Sequence, residues 1–196
     1  TEQELFSLEE LVQAFSLERV NKSGARFDPD KTKWYNHQYL QTKSDSELAN
    51  FFSSILENKQ ISRDARNDDY VEKVVGLIKE RANFVSDFWQ LSHYFFAAPV
   101  SYEEKAVKKQ WKEDTSNIMN QLVSVLAPIS DFSSQNVEDQ VKSWITANEL
   151  SFGKVMAPLR LVIVGAMQGP HVFDILESIG KKESIQRIEK AVSELN

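Results

Sequence analysis

The chain has 196 residues, 41% of them hydrophobic and 11% aromatic, so it is long enough to bury a sizeable core. Dispersed charges, few Gly and Pro residues and the lack of cysteine exclude collagen-like and disordered classes, a disulfide framework and a thiolate zinc site. The formal net charge of −6 requires any nucleic-acid interface to be local. We expect a cytoplasmic protein without a membrane span, because the longest apolar run, Leu161 to Met167, is too short.

Helical spacing of apolar residues dominates the first half of the chain. Two stripes with the i, i+3, i+4 pattern are Leu48, Phe51, Phe52, Ile55 and Leu56, and then Val71, Val74, Val75 and Ile78. Helix starts are marked by Ser followed three residues later by Glu, and by an Asp-Pro pair. These signals stand at Ser7, Asp28-Pro29, Ser44 and Ser101.

Further helices are predicted in the second half. They cover Asn83 to Phe96, Thr115 to Leu126, Val137 to Ile145, Pro170 to Ile179 and Glu183 to Leu195. Gly180 is a natural end for the helix that precedes it. The β-branched run from Leu159 to Val164 fits a buried strand as well as a buried helix, and periodicity leaves both open.

Catalytic and metal-binding motifs are missing from the sequence. No His-Glu-x-x-His, phosphate-binding glycine loop or Gly-x-Ser-x-Gly motif occurs, and none of the three histidines belongs to a Glu-x-x-His pair. We therefore expect no catalytic residue, no metal site and no cofactor in this chain. Carboxylates that assemble from distant helices leave no motif in a sequence, so a helical bundle with a carboxylate site stays an alternative.

Three stretches resemble the C-terminal half of bacterial glutamyl-tRNA synthetases, in order and in spacing. They are FSLERVNKSGARFDPDKTKWYNHQYL from Phe15 to Leu40, VVGLIKERANFVSDFW from Val74 to Trp89, and GKVMAPLRLVIVGAMQGPHVFDILESIGKKESIQRIEKAV from Gly153 to Val192. The first and third are long and specific, and the second is weaker. Together they span nearly the whole chain.

The resemblance implies an all-α fold of two consecutive helical subdomains without the catalytic Rossmann domain, and it tips Leu159 to Val164 towards helix. It implies the end of a stem-contact region over residues 1–43, a first anticodon-binding subdomain over 44–98 and a second over 99–196. Chain breaks at Gln41 to Ser44 and at Ala97 to Ser101 agree with these bounds.

Family members are class I ligases that charge tRNA with glutamate using ATP and magnesium, through signature motifs that this chain lacks. The resemblance therefore implies a fragment that starts after the active site. Its partners would be the anticodon loop of glutamate tRNA and the catalytic half of the same polypeptide, without DNA or membrane, in a monomer. A helical protein-interaction module without RNA binding is the alternative.

Arg81 follows Glu80 near the end of a predicted helix, where a solvated surface arginine is the ordinary interpretation. The resemblance implies instead that Arg81 reads the third anticodon letter. A guanidinium offers only donors, and the Watson–Crick edge of cytosine offers the adjacent acceptors O2 and N3. Guanine, the third letter in glutamine tRNA, presents donors there, so donor would face donor.

Arg160 lies inside an apolar run, so it needs a carboxylate partner, a snorkelled exposure or an RNA contact. The resemblance implies an anticodon contact at Arg160 and at the loop formed by Gly169, Pro170, Val172 and Phe173. Phe173 fits either the core or a platform for a base. His171 departs from some members of the family, because a smaller residue is common at this position.

Four lysines at helical spacing form a predicted basic face. They are Lys105, Lys108, Lys109 and Lys112. A solvated helix face explains them better than contact with phosphates.

Overall fold

The computed structural model describes residues 3–20, 24, 26–62 and 67–195 of the chain. Within these residues all regular structure is helical, which confirms the predicted all-α class. The α-helices are α1 Leu8–Ala14, α2 Pro29–Thr42, α3 Asp45–Asn58, α4 Asp68–Ile78, α5 Asp87–Phe96, α6 Glu104–Gln110, α7 Thr115–Leu126, α8 Ser134–Ala147, α9 Phe152–Val164, α10 Val172–Ile179 and α11 Lys181–Glu194. Short 3-10 turns lie at Leu17–Arg19 and Lys79–Arg81.

The capping signals of α1, α2 and α3 are confirmed. Ser7 and Ser44 each form a complete capping box with the glutamate three residues later. At the start of α2 the Asp28 side chain accepts hydrogen bonds from two backbone N–H groups, and Pro29 takes the first helical position, where its missing donor costs nothing. Gly180 ends α10 with φ +81, as predicted.

The capping box predicted at Ser101 and Glu104 is wrong. Helix α6 begins at Glu104 itself, its N-cap is Glu103, and no side chain caps it. The Glu103 backbone N–H donates instead to the carbonyl of Gly165, 2.8 Å away at the end of α9. This tertiary hydrogen bond fixes the start of α6 two residues later than the Ser101 signal predicts.

The first core forms where α3 packs against α4 and α5. All four apolar residues of the α4 stripe, Val71, Val74, Val75 and Ile78, are fully buried, as predicted. In α3 the stripe is rotated slightly, so that Phe51 is 60% exposed and Ala49 is buried in its place. Phe52 takes the central position because its ring meets Phe88 and Phe96 edge-on, with ring centroids 5.6 and 5.8 Å apart.

Helix α9 is the centre of the second half of the chain. It contacts α6, α7, α8, α10 and α11, and this surrounds its apolar run on most sides. Leu159 and every residue from Leu161 to Val164 are buried. A helix buried all round loses the one-sided stripe that periodicity detects. The segment is helical throughout, which confirms the choice that the family resemblance favoured over the strand.

Several polar contacts join the two halves. Arg187 of α11 is buried and donates through Nη1 to the carbonyls of Tyr94 in α5, at 2.7 Å, and of Ile163 in α9, at 2.9 Å. Lys73 of α4 and Glu177 of α10 form an ion pair at 2.6 Å. The predicted subdomain boundaries at residues 43/44 and 98/99 stay predictions.

The N-terminal part lies apart from this core. Its large apolar side chains Leu8, Val12, Phe15 and Leu17 are largely exposed, and no residue of α1 is buried. Within the described part of the chain, every helix is too short or too polar to cross a membrane.

Candidate nucleic-acid interface

Arg81 lies on the 3-10 turn that continues α4. Residues Lys79–Arg81 form this turn, and the Arg81 side chain is exposed. Its Nη1 donates to the carbonyl of Leu77 at 3.1 Å. The last carbonyls of a helix have no partner within the helix and attract a cation. The end of α4 therefore orients the Arg81 guanidinium, whose other donors have no partner among the residues that the structure describes.

Arg160 projects from α9 towards the loop that follows this helix. Its Nη1 donates to the carbonyl of Gln168 at 3.0 Å. No carboxylate lies within ion-pair distance of Arg160 among the residues that the structure describes, so its partner is a backbone carbonyl and its side chain is partly exposed. Of the three alternatives for Arg160, a snorkelled exposure and an RNA contact remain, and a carboxylate partner does not.

Tyr94 lies beneath this loop and was not predicted as a site residue. It is fully buried, and its hydroxyl finds no hydrogen-bond partner in the described part of the chain. Burial raises the pKa of Tyr94 to about 12, while the positive charges of Arg160 and Arg81 act in the opposite direction. Burial also lowers the pKa of Arg160, Tyr94 opposes that shift, and repulsion from Arg81 adds to it. The charges of both guanidinium groups thus oppose the effect of burial on the same tyrosine.

Gly169 brings the loop against Tyr94. Its φ is +102, a conformation that side chains rarely adopt. A Cβ atom on Gly169 would lie 2.7 Å from the Tyr94 hydroxyl and 3.7 Å from Nη1 of Arg160. Arg160 and Gly169, predicted separately, are therefore neighbours, and Tyr94 packs under both.

The remaining residues of the predicted loop face the core. Pro170 and Val172 are buried, and the fully buried Phe173 side chain packs in the hydrophobic core. The exposed side chains of the segment are Met167, Gln168 and His171. The His171 ring lies 5.4 Å from the Phe173 ring, and its Nε2 lies 3.7 Å from Glu138 Oε1. Val172 and Phe173 hence anchor the loop, and the neighbouring exposed residues face solvent.

The four lysines of the predicted basic face are all exposed. Lys105, Lys108 and Lys109 lie on α6, and Lys112 lies just beyond it. Lys112 Nζ donates to the carbonyl of Lys108 at 2.7 Å. The structure has no cluster of three or more His, Asp or Glu side chains that could hold a metal ion within residues 3–20, 24, 26–62 and 67–195.

Comparison with known proteins gives one consistent set of relatives. A family model described as an anticodon binding domain matches residues 36–192. The chain is 59% identical over 195 residues to a glutamate–tRNA ligase of Flavobacterium psychrophilum and 40% identical over 194 residues to one of Porphyromonas gingivalis. These alignments cover 100% and 99% of this chain but 38% of each relative.

Solved structures agree with these relatives. The chain matches the crystal structure of a glutamate tRNA ligase from Elizabethkingia meningosepticum in complex with its amino acid, with a TM-score of 0.91 and 39% identity. It matches that of a glutamate–tRNA synthetase from Elizabethkingia anophelis with a TM-score of 0.86 and 37% identity. The matches cover 97% and 96% of this chain and 37% and 36% of those chains. The chain thus spans little more than a third of the length of its relatives.

Proposed function

Because this chain belongs to the anticodon-binding domain family and matches glutamate–tRNA ligases along nearly its whole length, we propose that it recognises the anticodon loop of glutamate tRNA. Recognition combines shape and phosphate contacts with hydrogen bonds to the edges of unstacked bases. The chain supplies specificity, and the chemistry of charging belongs to another part of the polypeptide.

The observation that carries this proposal is the match of residues 36–192 to an anticodon binding domain, in which Arg81 and Arg160 supply the cationic groups. Arg81 comes from the first predicted subdomain, and Arg160 with Gly169 comes from the second. Neither arginine has an ion-pair partner among the described residues, so both charges are available to RNA. RNA phosphates need positive charge, and the net charge of the chain is −6. Two guanidinium groups without ion-pair partners supply positive charge locally.

Arg81 is the residue that reads the third anticodon letter in this proposal. Its guanidinium has only donors, which fit the adjacent acceptors O2 and N3 of cytosine. The donors of guanine at the same place repel it. Because the Leu77 carbonyl engages one Nη1–H, the remaining donors of the fork stay available for the base.

Arg160 and the loop from Gly169 to Phe173 form the second part of the interface. Buried Pro170, Val172 and Phe173 hold the loop in place, and the contacts with RNA come from the loop backbone and from exposed neighbours such as Gln168 and His171. An imidazole at His171 is suited to stacking on a splayed base.

The rest of the activity belongs to the longer polypeptide in this proposal. The catalytic half, with ATP and magnesium, charges glutamate tRNA in the cytoplasm, and the enzyme is a monomer. The exposed apolar residues Leu11, Val12, Phe15 and Val20, which line one surface pocket, support a covering neighbour, because isolated soluble domains rarely leave such a patch open. The relatives are long enough to provide it, since the chain covers 38% of them.

The proposal is tested by tRNA binding at two salt concentrations. Glutamate tRNA and glutamine tRNA are titrated with the chain, and we expect tighter binding of glutamate tRNA at both concentrations. A steep salt dependence without preference between the tRNAs means phosphate attraction alone and contradicts anticodon reading. No binding of either tRNA favours the protein-interaction module.

A further inference from the structure

One face of α2 holds the turn that carries Arg81. The Asn36 side chain donates to the carbonyl of Asn83. His37 Nδ1 lies 2.8 Å from the carbonyl oxygen of Ala82, and Gln41 Nε2 donates to the carbonyl of Lys79 at 2.9 Å. A carbonyl oxygen only accepts, so the His37 ring carries its proton on Nδ1. Three side chains of one helix thus bind backbone carbonyls on both sides of Arg81.

We propose that Asn36, His37 and Gln41 are positioning residues that set the anticodon specificity of Arg81 without touching RNA themselves. This inference rests on the proposed role of Arg81 in reading the third anticodon letter. The specificity of the interface then depends on α2, which precedes both predicted subdomains and whose last residues lie inside the family match.

The turn needs this support because it ends a helix. The last carbonyls of α4 and of the 3-10 turn lack the backbone N–H donors that a following helical turn would supply. Side chains or water must donate to them instead. At the turn, the Lys79 N–H donates to the Val75 carbonyl, the Ala82 N–H donates to the Lys79 carbonyl at 3.1 Å, and the Asn83 N–H donates to Asp87 Oδ2 at 3.0 Å. Hydrogen bonds from α2 add restraint through the carbonyls of residues 79, 82 and 83.

A second restraint acts from the other side of the turn. Lys79 Nζ donates to the carbonyl of Lys43 and to Asp45 Oδ1, both at 2.9 Å, where α2 ends and α3 begins. The backbone at Arg81 is therefore held by the end of α2 as well as by its face. The Arg81 side chain stays exposed, with one bond to Leu77.

This arrangement suits discrimination between two bases. A guanidinium matches two adjacent acceptors only within a narrow range of position, and neighbouring residues have to fix its backbone to keep it there. Phosphate attraction tolerates a shift of the same size, because it depends weakly on direction. Loss of the α2 hydrogen bonds should consequently lower the discrimination between C and G at the third anticodon letter more than it lowers the affinity for tRNA.

The test compares tRNAs that differ only in having C or G as the third anticodon letter. His37→Leu and Gln41→Met remove a donor with little change in volume, whereas His37→Asn keeps a side-chain N–H near the position of Nδ1. We expect the ratio of the two dissociation constants to fall about threefold to tenfold in His37→Leu and in Gln41→Met, a fraction of what the loss of a bidentate base contact costs. In His37→Asn the ratio should return towards that of the unchanged chain.

The same measurements in an Arg81→Gln background separate this inference from the proposed function. If α2 acts through Arg81, His37→Leu changes the ratio no further there. If Arg81→Gln alone leaves the ratio unchanged, the proposed function fails. If Arg81→Gln lowers the ratio while His37→Leu and Gln41→Met do not, the positioning role is overturned. It is also overturned if His37→Leu lowers the ratio equally in both backgrounds.

Discussion

The hydroxyl oxygen of Tyr94 lies 2.7 Å from the position that a Cβ atom would take on Gly169. This hydroxyl is buried, has no partner among the described residues, and lies near the charges of Arg160 and Arg81. A buried polar group without a hydrogen bond costs about 1–3 kcal/mol of stability. Gly169 therefore packs against a buried hydroxyl that does not favour folding.

Replacing Tyr94 with Phe should leave the free energy of unfolding unchanged or raise it by up to ~3 kcal/mol, because the ring stays and the unpaired hydroxyl goes. Denaturation in urea measures this. A loss of more than about 1 kcal/mol would mean that the hydroxyl is hydrogen-bonded in solution.

Replacing Gly169 with Ala should lower the free energy of unfolding by about 1–3 kcal/mol, because φ at this position is +102 and the new methyl group meets the Tyr94 hydroxyl. In the Tyr94→Phe background the loss should be smaller. Gly180→Ala is the matched control for the positive φ, since φ there is +81 and a Cβ meets nothing within 4 Å. Equal losses in both backgrounds would contradict the contact with Tyr94.

Replacing Arg187 with Met should destabilise the fold by about 3 kcal/mol, because the carbonyls of Tyr94 and Ile163 lose their buried donor and Glu183 loses its partner. These carbonyls lie in the last turns of α5 and α9, so Arg187 stabilises two helix ends at once. Gln186→Met, at an exposed position of α11, should change stability by less than about 0.5 kcal/mol. Similar small effects for both variants would contradict this role of Arg187.

The ion pair between Lys73 and Glu177 should make stability depend on pH. Lys73 and then the Ser134 N–H hold the pKa of Glu177 below its ordinary value of 4.5. The folded state therefore binds this proton less readily, so the contribution is fully present above about pH 4.5 and is lost as pH falls through the lowered pKa. The stability difference between the unchanged chain and Glu177→Gln should shrink over that range. A difference that is constant between pH 7 and pH 3 would contradict the assignment.

Most of the fold follows from short-range pattern. The stripe from Val71 to Ile78 and the capping boxes at Ser7 and Ser44 depend on residues within one or two turns, and the structure confirms them. The errors arise where distant contacts intervene. Ser101 fails as a cap because Gly165 bonds the Glu103 N–H, and Phe51 is exposed because Phe52 has the aromatic neighbours.

The candidate site was only partly predictable. Arg81, Arg160 and Gly169 were found through the family resemblance, and the structure brings Arg160 next to Gly169. Tyr94 cannot be predicted as a site residue, because the sequence does not distinguish an aromatic residue in the apolar stripe of α5 from an ordinary core residue. The hydrogen bonds from α2 cannot be predicted either. Their acceptors are backbone carbonyls about 40 residues further along the chain, and carbonyls leave no pattern in a sequence.

The central claim, that Arg81 reads the third anticodon letter, is tested most directly by the ratio of dissociation constants for tRNAs with C or G at that letter. Arg81→Gln substitutes an amide that both donates and accepts, and it should lower the discrimination by about 1–3 kcal/mol while affinity for phosphate falls less. Arg19→Gln, at an exposed position outside the site, should leave the ratio unchanged. If Arg81→Gln weakens both tRNAs equally, or weakens neither, Arg81 does not read the base and the account is contradicted.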